Sequence, residues 1–219
     1  MPKWGVFGLS VLAIIGALFA LAIVFRVSGF LGGPGYDLYG IPSRSMAPAL
    51  RQGDYMFALT NVYGSELPRR GEIVVFKHPG DRKTDYDKRV IGLPGDRVQY
   101  RDGRLYLNGA LVEREPLSAA EVEALNYPNE YGVPFFYWER LPNGARYVIA
   151  EDSDDGQLDN SDEIIVPSDS LFTLGDNRDN SADSRVGGFV PRDLLRARPL
   201  YIYWSRDRSR IGMALQPEN

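Results

Sequence analysis

The sequence predicts a mostly β chain, a β-rich body with a smaller β insertion, tethered by one N-terminal transmembrane helix. Three observations predict it. One uninterrupted apolar run opens the chain, short β-branched runs separated by turn residues come after it, and a single later segment has helical character.

The opening run is Val6–Phe25, 20 residues with no charge and Ser10 as its one polar side chain. As a helix it spans ~30 Å, the thickness of a bilayer's hydrocarbon core. Trp4 and Lys3 stand at its start as interfacial anchors do. It exceeds the ~7–15 apolar residues of a cleaved signal peptide. The adjoining residues, RVSGFLGG, make a poor cleavage site. We therefore read an uncleaved anchor with residues 1–5 in the cytoplasm. Lys3 and the terminal amine favour that orientation, and Arg26 and Arg44 weaken the bias. The rest then faces the outside of the cell or inner membrane.

Residues 26–40 read as a glycine-rich connector. Strands are predicted at Glu72–Phe76 and at Arg89–Leu93, the latter stopped by Pro94-Gly95-Asp96. Val98–Tyr100 and Leu105–Leu107 flank Asp102-Gly103, a hairpin signal, with Asn108-Gly109 as the next turn. Val148–Ala150, Leu171–Leu174 and Tyr201–Trp204 are further strand candidates. Met56 and Phe57 read either as core strand residues or as apolar side chains dipping into lipid. Ser118–Leu125 is the helical segment, with Ser118 as N-cap and Glu121 three residues on. Residues 102–170 are acidic and turn-rich and read as the variable β insertion, dividing a core of 41–101 and 171–219. Within them Glu151–Glu163 holds seven acids and no base. Gly156 is misplaced for an EF-hand, so this is read as a solvated loop.

Composition narrows the chemistry. The 219 residues include no Cys, one His, four Lys and 21 Arg, with a net charge of −4. No disulfide, thiol nucleophile or Cys-ligated metal is possible. One His excludes a multi-His metal site. The charge gives no case for nucleic-acid binding. We expect no metal and no cofactor.

Ile41-Pro42-Ser43-Arg44-Ser45-Met46-Ala47-Pro48 places two serines in a proline-bracketed loop. A serine nucleophile needs a base. His78 precedes Pro79 at a strand exit and reads as an exposed turn residue. Lys77 adjoins that turn, and Lys83 lies in a charged loop. Lys88 opens an apolar strand whose alternation places Lys88, Val90 and Gly92 on one face. A buried lysine loses basicity, and a lysine base must be neutral where its free pKa of ~10.4 keeps it protonated. On pattern alone, a surface lysine at a strand start is an equal reading.

Four blocks together resemble type I signal peptidase, the membrane-bound serine–lysine protease family that removes signal peptides. They are PSRSMAPAL (Pro42–Leu50) followed by Gly53-Asp54, RGEIVVFKHPGD (Arg70–Asp81), KRVIGLPGD (Lys88–Asp96) and GDNRDNSADSR (Gly175–Arg185) followed by Gly188-Phe189-Val190-Pro191. They stand in the family's order, after an anchor, with a variable β insertion between the third and fourth. The resemblance implies an endopeptidase acting on preprotein signal peptides at the bilayer, after Ala-x-Ala-like sites. It implies Ser45 as nucleophile, Lys88 as general base, Ser43 as an oxyanion-hole hydroxyl and Ser181 as the hydroxyl that orients the lysine. Asp176, Arg178, Asp183 and Arg185 match positions that hold the site together, and Ile41 matches a substrate-pocket position.

The chain departs from that pattern at Asp87, where the family usually has an apolar pocket residue. A carboxylate there raises the lysine's pKa. Strand alternation predicts that Asp87 points away from Lys88, beside Arg89. Arg44 stands where the family often has Gly, and Ala49 where it often has Thr. Two rival readings are another Ser/Lys processing peptidase, and a membrane-anchored, non-catalytic β domain that binds a partner through its acidic insertion.

Overall fold

The computed structural model describes residues 4–30, 33, 35–64, 66–128, 132 and 134–217, except the side chains of helix residues 4–12, 25 and 28–30. Lys3, with residues 1–3, and the Trp4 side chain therefore lie outside the described residues. The apolar run forms helix α1, Trp4–Phe30. Among the described residues, no helical segment is long and apolar enough to cross a membrane.

Fourteen strands form three sheets among the described residues. In chain order they begin β1 (Gly35–Gly40), β2 (Tyr55–Thr60), β3 (Ile73–Lys77), β4 (Asp85–Gly92), β5 (Arg97–Arg101), β6 (Arg104–Leu107), β7 (Ala110–Leu111) and β8 (Glu113–Pro116). Helix α2 (Ala119–Leu125) comes next, then β9 (Phe135–Arg140), β10 (Arg146–Glu151), β11 (Ile164–Ile165) and β12 (Ser170–Leu174). Helix α3 (Ser184–Gly187), β13 (Val190–Pro191) and β14 (Leu195–Trp204) complete the chain.

The main sheet has the order β1-β2-β14-β3-β4-β12-β13. Its strands come from both ends of the chain, so the segment between β4 and β12 inserts into a body closed by β14. That segment makes a four-stranded sheet, β11-β5-β6-β7, and a three-stranded one, β10-β9-β8. β5, which the sequence assigned to the core, pairs with β6 and β11 and belongs with the insertion. The glycine-rich connector also differs from expectation. Its second half is β1, paired along its whole length with β2 from Gly35↔Thr60 to Gly40↔Tyr55. β-Propensity there is low, and backbone pairing with a neighbour supplies what the residues lack.

Local turn chemistry explains the hairpins. Asp102 and Asn108 take positive φ, with Gly103 and Gly109 after them, and so close β5–β6 and β6–β7. Ser118 caps α2 through a complete capping box with Glu121.

The faces of β3 and β4 set the site. Val75 packs with Ile41, Met46, Met56 and Ala58 on one side, and Val74 packs with Val90 and Leu171 on the other. Across the β3–β4 register, Val74 opposes Lys88 and Val75 opposes Asp87. The β4–β12 pairing ends at Leu174↔Arg89, one residue before Lys88. The 85–88 stretch of β4 therefore has an edge without a strand partner among the described residues.

Candidate active site

Ser45 lies in the turn that leads from β1 to β2, and Lys88 on β4. The fold brings them together. Lys88 Nζ is 2.9 Å from Ser45 Oγ. The amine also donates to the Asp87 backbone carbonyl at 2.7 Å and lies 5.3 Å from the centre of the Tyr86 ring. Lys88 is only 3% exposed. Burial pushes its pKa down, against the opposing pull of Asp87, then Asp183 and Asp176. The equal alternatives of the sequence pattern resolve here, since this lysine is buried.

Ser43 Oγ stands 3.1 Å from Ser45 Oγ, and the Ser45 backbone N–H points to Ser43 Oγ at 3.5 Å. A hydroxyl and a backbone donor thus sit side by side at the nucleophile. The Ser45 carbonyl accepts from Asn177 N at 3.1 Å, and the Arg44 carbonyl from Asn177 Nδ2 at 3.3 Å. The Gly175–Arg185 segment therefore grips the serine turn directly.

That segment is built from buried charge pairs. Asp176 receives Arg89 Nε and Nη2 at 2.7 and 2.6 Å. Arg178 donates to both carboxylate oxygens of Glu139 on β9, at 2.9 and 2.6 Å, and to Tyr100 OH. Burial alone raises the Glu139 carboxyl's pKa, but Arg178, with Tyr147 and Arg89, outweighs it and holds that carboxyl below its usual range. Asp183 caps α3 and accepts from Gly175 N at 3.0 Å and from Arg185. Arg185 also donates to the Arg178 carbonyl. Arg178, Asp183 and Arg185 are thus tied to one another, and Asp176 is tied to Arg89 on β4. Sequence reasoning missed two more, Glu139 and Gly175. A Cβ built on Gly175 would overlap Ser181 Oγ and the Ser45 carbonyl oxygen. The glycine that opens GDNRDNSADSR was the available signal for it. Nothing in the acidic insertion marked Glu139.

Ser181 is buried, and its hydroxyl has no hydrogen-bond partner among the described residues. The expected bond to Lys88 is thus not formed. Its neighbours Asn180 and Ala182 line the cleft that holds Ser45 and Lys88. That cleft, of about 440 Å³, is also lined by Ile41, Met56, Val75 and Asp87. Ile41 is buried.

Asp87 is not paired with Arg89, whose guanidinium is taken by Asp176 and the Gly71 carbonyl. Asp87 stands opposite Val75 and is one of the residues lining the cleft. Burial raises its pKa, and Lys88 opposes the rise. The acidic loop also corrects its reading as fully solvated. Glu151 and Asp159 are buried, and Arg114 pairs with Glu151.

His78 packs against Tyr86 with the rings tilted and accepts from Gly80 N, and it is absent from the Ser45 cleft. Lys77 pairs with Asp85 at 2.8 Å. A larger crevice, of about 620 Å³ between Tyr63 and Arg192, contains neither Ser45 nor Lys88.

Comparison with known proteins agrees with the four blocks. The profile of the family described as signal peptidase, peptidase S26, matches residues 10–204. The signal peptidase I of Rickettsia akari is 34% identical over 199 residues, covering 76% of this chain and 71% of that protein. That of Pseudomonas aeruginosa is 35% identical over 209 residues, covering 89% and 67%. A solved signal peptidase I from Enterococcus faecalis V583 is 29% identical, covering 61% of this chain and 97% of the other, with a TM-score of 0.36. At that score the fold rests on the chain's own strands. A match that runs from within α1 to the end of β14, with relatives above 30% identity, means that the chain belongs to the signal peptidase family, peptidase S26.

Proposed function

We propose that the chain is a membrane-bound serine endopeptidase that removes signal peptides from exported preproteins, with Ser45 as nucleophile and Lys88 as general base. The observation that carries this is a buried amine 2.9 Å from a serine hydroxyl in a cleft. A lysine acts as a base only when neutral, and burial favours that form.

The geometry supports the following order of steps. Neutral Lys88 takes the Ser45 hydroxyl proton as Oγ attacks the substrate carbonyl. The Ser45 N–H and the Ser43 hydroxyl receive the developing oxyanion. One such donor is worth about 2.7–4 kcal/mol in the transition state. Protonated Lys88 then gives its proton to the leaving amine. The neutral Lys88 next takes a proton from water, which hydrolyses the acyl-enzyme, and returns it to Ser45 Oγ as that oxygen departs. Ser181 provides an unused hydroxyl beside the cleft, and we assign it to orienting the lysine once substrate is bound.

The unpaired 85–88 edge of β4 suits an extended substrate backbone, which adds as a strand. Ile41, Met56 and Val75 suit small apolar side chains before the cut, which supports Ala-x-Ala-like sites. We read α1 as the single-pass anchor, with the N-terminus cytoplasmic and the catalytic body on the outer face. The uncharged 20-residue apolar run of the sequence, Val6–Phe25, supports this reading. The anchor brings the cleft to the bilayer, where the apolar part of a signal peptide lies.

The test is to reconstitute the full chain in lipid vesicles with a preprotein that carries an Ala-x-Ala site, and to read the products by mass spectrometry. One cut after the second small residue is expected. An intact preprotein would contradict the reading.

A further inference from the structure

One residue that lines the cleft carries a buried polar atom without a partner among the described residues. Asp87 Oδ2 is shielded from solvent and has no hydrogen-bond partner among the described residues. The carboxyl lies on the face of Val75, its partner across β3–β4, and lines the same cleft as Ile41 and Met56. Leaving a buried acceptor unpaired costs about 1–3 kcal/mol. The nearest cation offers no relief, because the Lys88 amine is engaged by Ser45 Oγ and the Asp87 carbonyl. Arg89 is held by Asp176 and Gly71. The atom is therefore complete only when something enters the cleft.

We propose that Asp87 is a specificity-determining residue that makes one subsite of the cleft polar, so that it takes a serine side chain of the substrate in preference to alanine. The proposal rests on the proteolytic reading above. A substrate strand laid along β4 carries its side chains alternately onto the two faces, and one of them meets the face of Val75 and Asp87. A serine there adds one O–H to the volume of alanine. That O–H donates to Oδ2 whether the carboxyl is ionised or protonated, so the match tolerates the upward push that burial gives this group. A substrate lysine or arginine needs the ionised form alone. It also brings a second cation to the amine that must stay neutral.

The experiment uses the full chain in vesicles and substrates that differ by alanine or serine at each of the three positions before the cut. The Ser/Ala ratio of kcat/KM is taken within each enzyme variant, so any change in Lys88 basicity cancels. Wild type is expected to prefer serine roughly fivefold to tenfold at one position, the worth of one net hydrogen bond. Asp87→Asn, which keeps an acceptor but loses the charge, should retain the preference. Asp87→Val should reverse it toward alanine, and Asp87→Leu gives the same readout if the valine variant does not fold. A wild type with no serine preference at any position, or a valine or leucine variant with the wild-type ratio, overturns the proposal. Those outcomes leave the proteolytic reading standing. Cleavage of no substrate by wild type overturns both.

Discussion

Arg89 holds Asp176 through two parallel hydrogen bonds, at 2.7 and 2.6 Å, with both side chains almost wholly buried. Arg89 is the next residue after Lys88 on β4, and Asp176 precedes Asn177, whose backbone N–H bonds the Ser45 carbonyl. The Asp176 carbonyl in turn accepts from Ala150 N on β10. One ion pair therefore joins the lysine strand, the serine turn and the insertion.

Removing one member leaves the other charge buried and unpaired, which costs ~3–5 kcal/mol. We expect Arg89→Met or Asp176→Leu alone to lower stability by that amount in denaturant unfolding. Replacing both should recover much of the loss, because an apolar pair carries no desolvation penalty. A single variant that loses under ~1 kcal/mol would show that the pair does not hold these elements.

Gly175→Ala should disable the site without unfolding the chain. Its added methyl meets Ser181 Oγ and the Ser45 carbonyl, so the serine turn must shift. A misplacement of about 1 Å costs roughly 10²-fold in rate. Turnover measured beside circular dichroism checks this, and wild-type turnover would refute the close packing.

The pH dependence has a definite sign. Only neutral Lys88 accepts the serine proton, so kcat/KM should rise with pH through the Lys88 pKa, which burial places below that of a free lysine. Asp87 opposes that depression. Asp87→Asn removes the opposing charge and should move the acidic limb to lower pH. A pH–rate profile reads the shift, and movement to higher pH would contradict the assigned coupling.

Ser181→Ala separates orientation from structure. The hydroxyl is buried without a partner among the described residues, so its removal should leave the melting temperature unchanged or raised. If it orients Lys88 during turnover, kcat should fall all the same. Unchanged kcat would reduce Ser181 to a packing residue.

Features set by neighbouring residues were legible in the sequence. The capping box of α2 and the Asp102-Gly103 and Asn108-Gly109 turns each depend on residues within a few positions. β1 was not legible, because its glycine-rich strand exists only by pairing with β2. β5 was legible as the first strand of the Asp102-Gly103 hairpin, while its other neighbour, β11, has no local mark. In the site, motif order pointed to Ser45 and Lys88, while strand pattern left the burial of Lys88 open. Glu139 had no local mark, because its role comes from Arg178 reaching β9 from a segment 39 residues away. Asp87 was visible as a departure, but alternation alone turned it toward Arg89. Only the wrap of the cleft around the edge of β4 shows both 87 and 88 facing one space.

The central claim is that a serine and a neutral lysine perform the hydrolysis. The most direct measurement is cleavage of a preprotein by the full chain in vesicles, with wild type set beside Ser45→Ala and Lys88→Ala, all confirmed as folded. We predict that either substitution reduces cleavage by at least about 10³-fold, since each removes a group the bond-breaking step requires. Cleavage at the wild-type rate and position by either variant would contradict it.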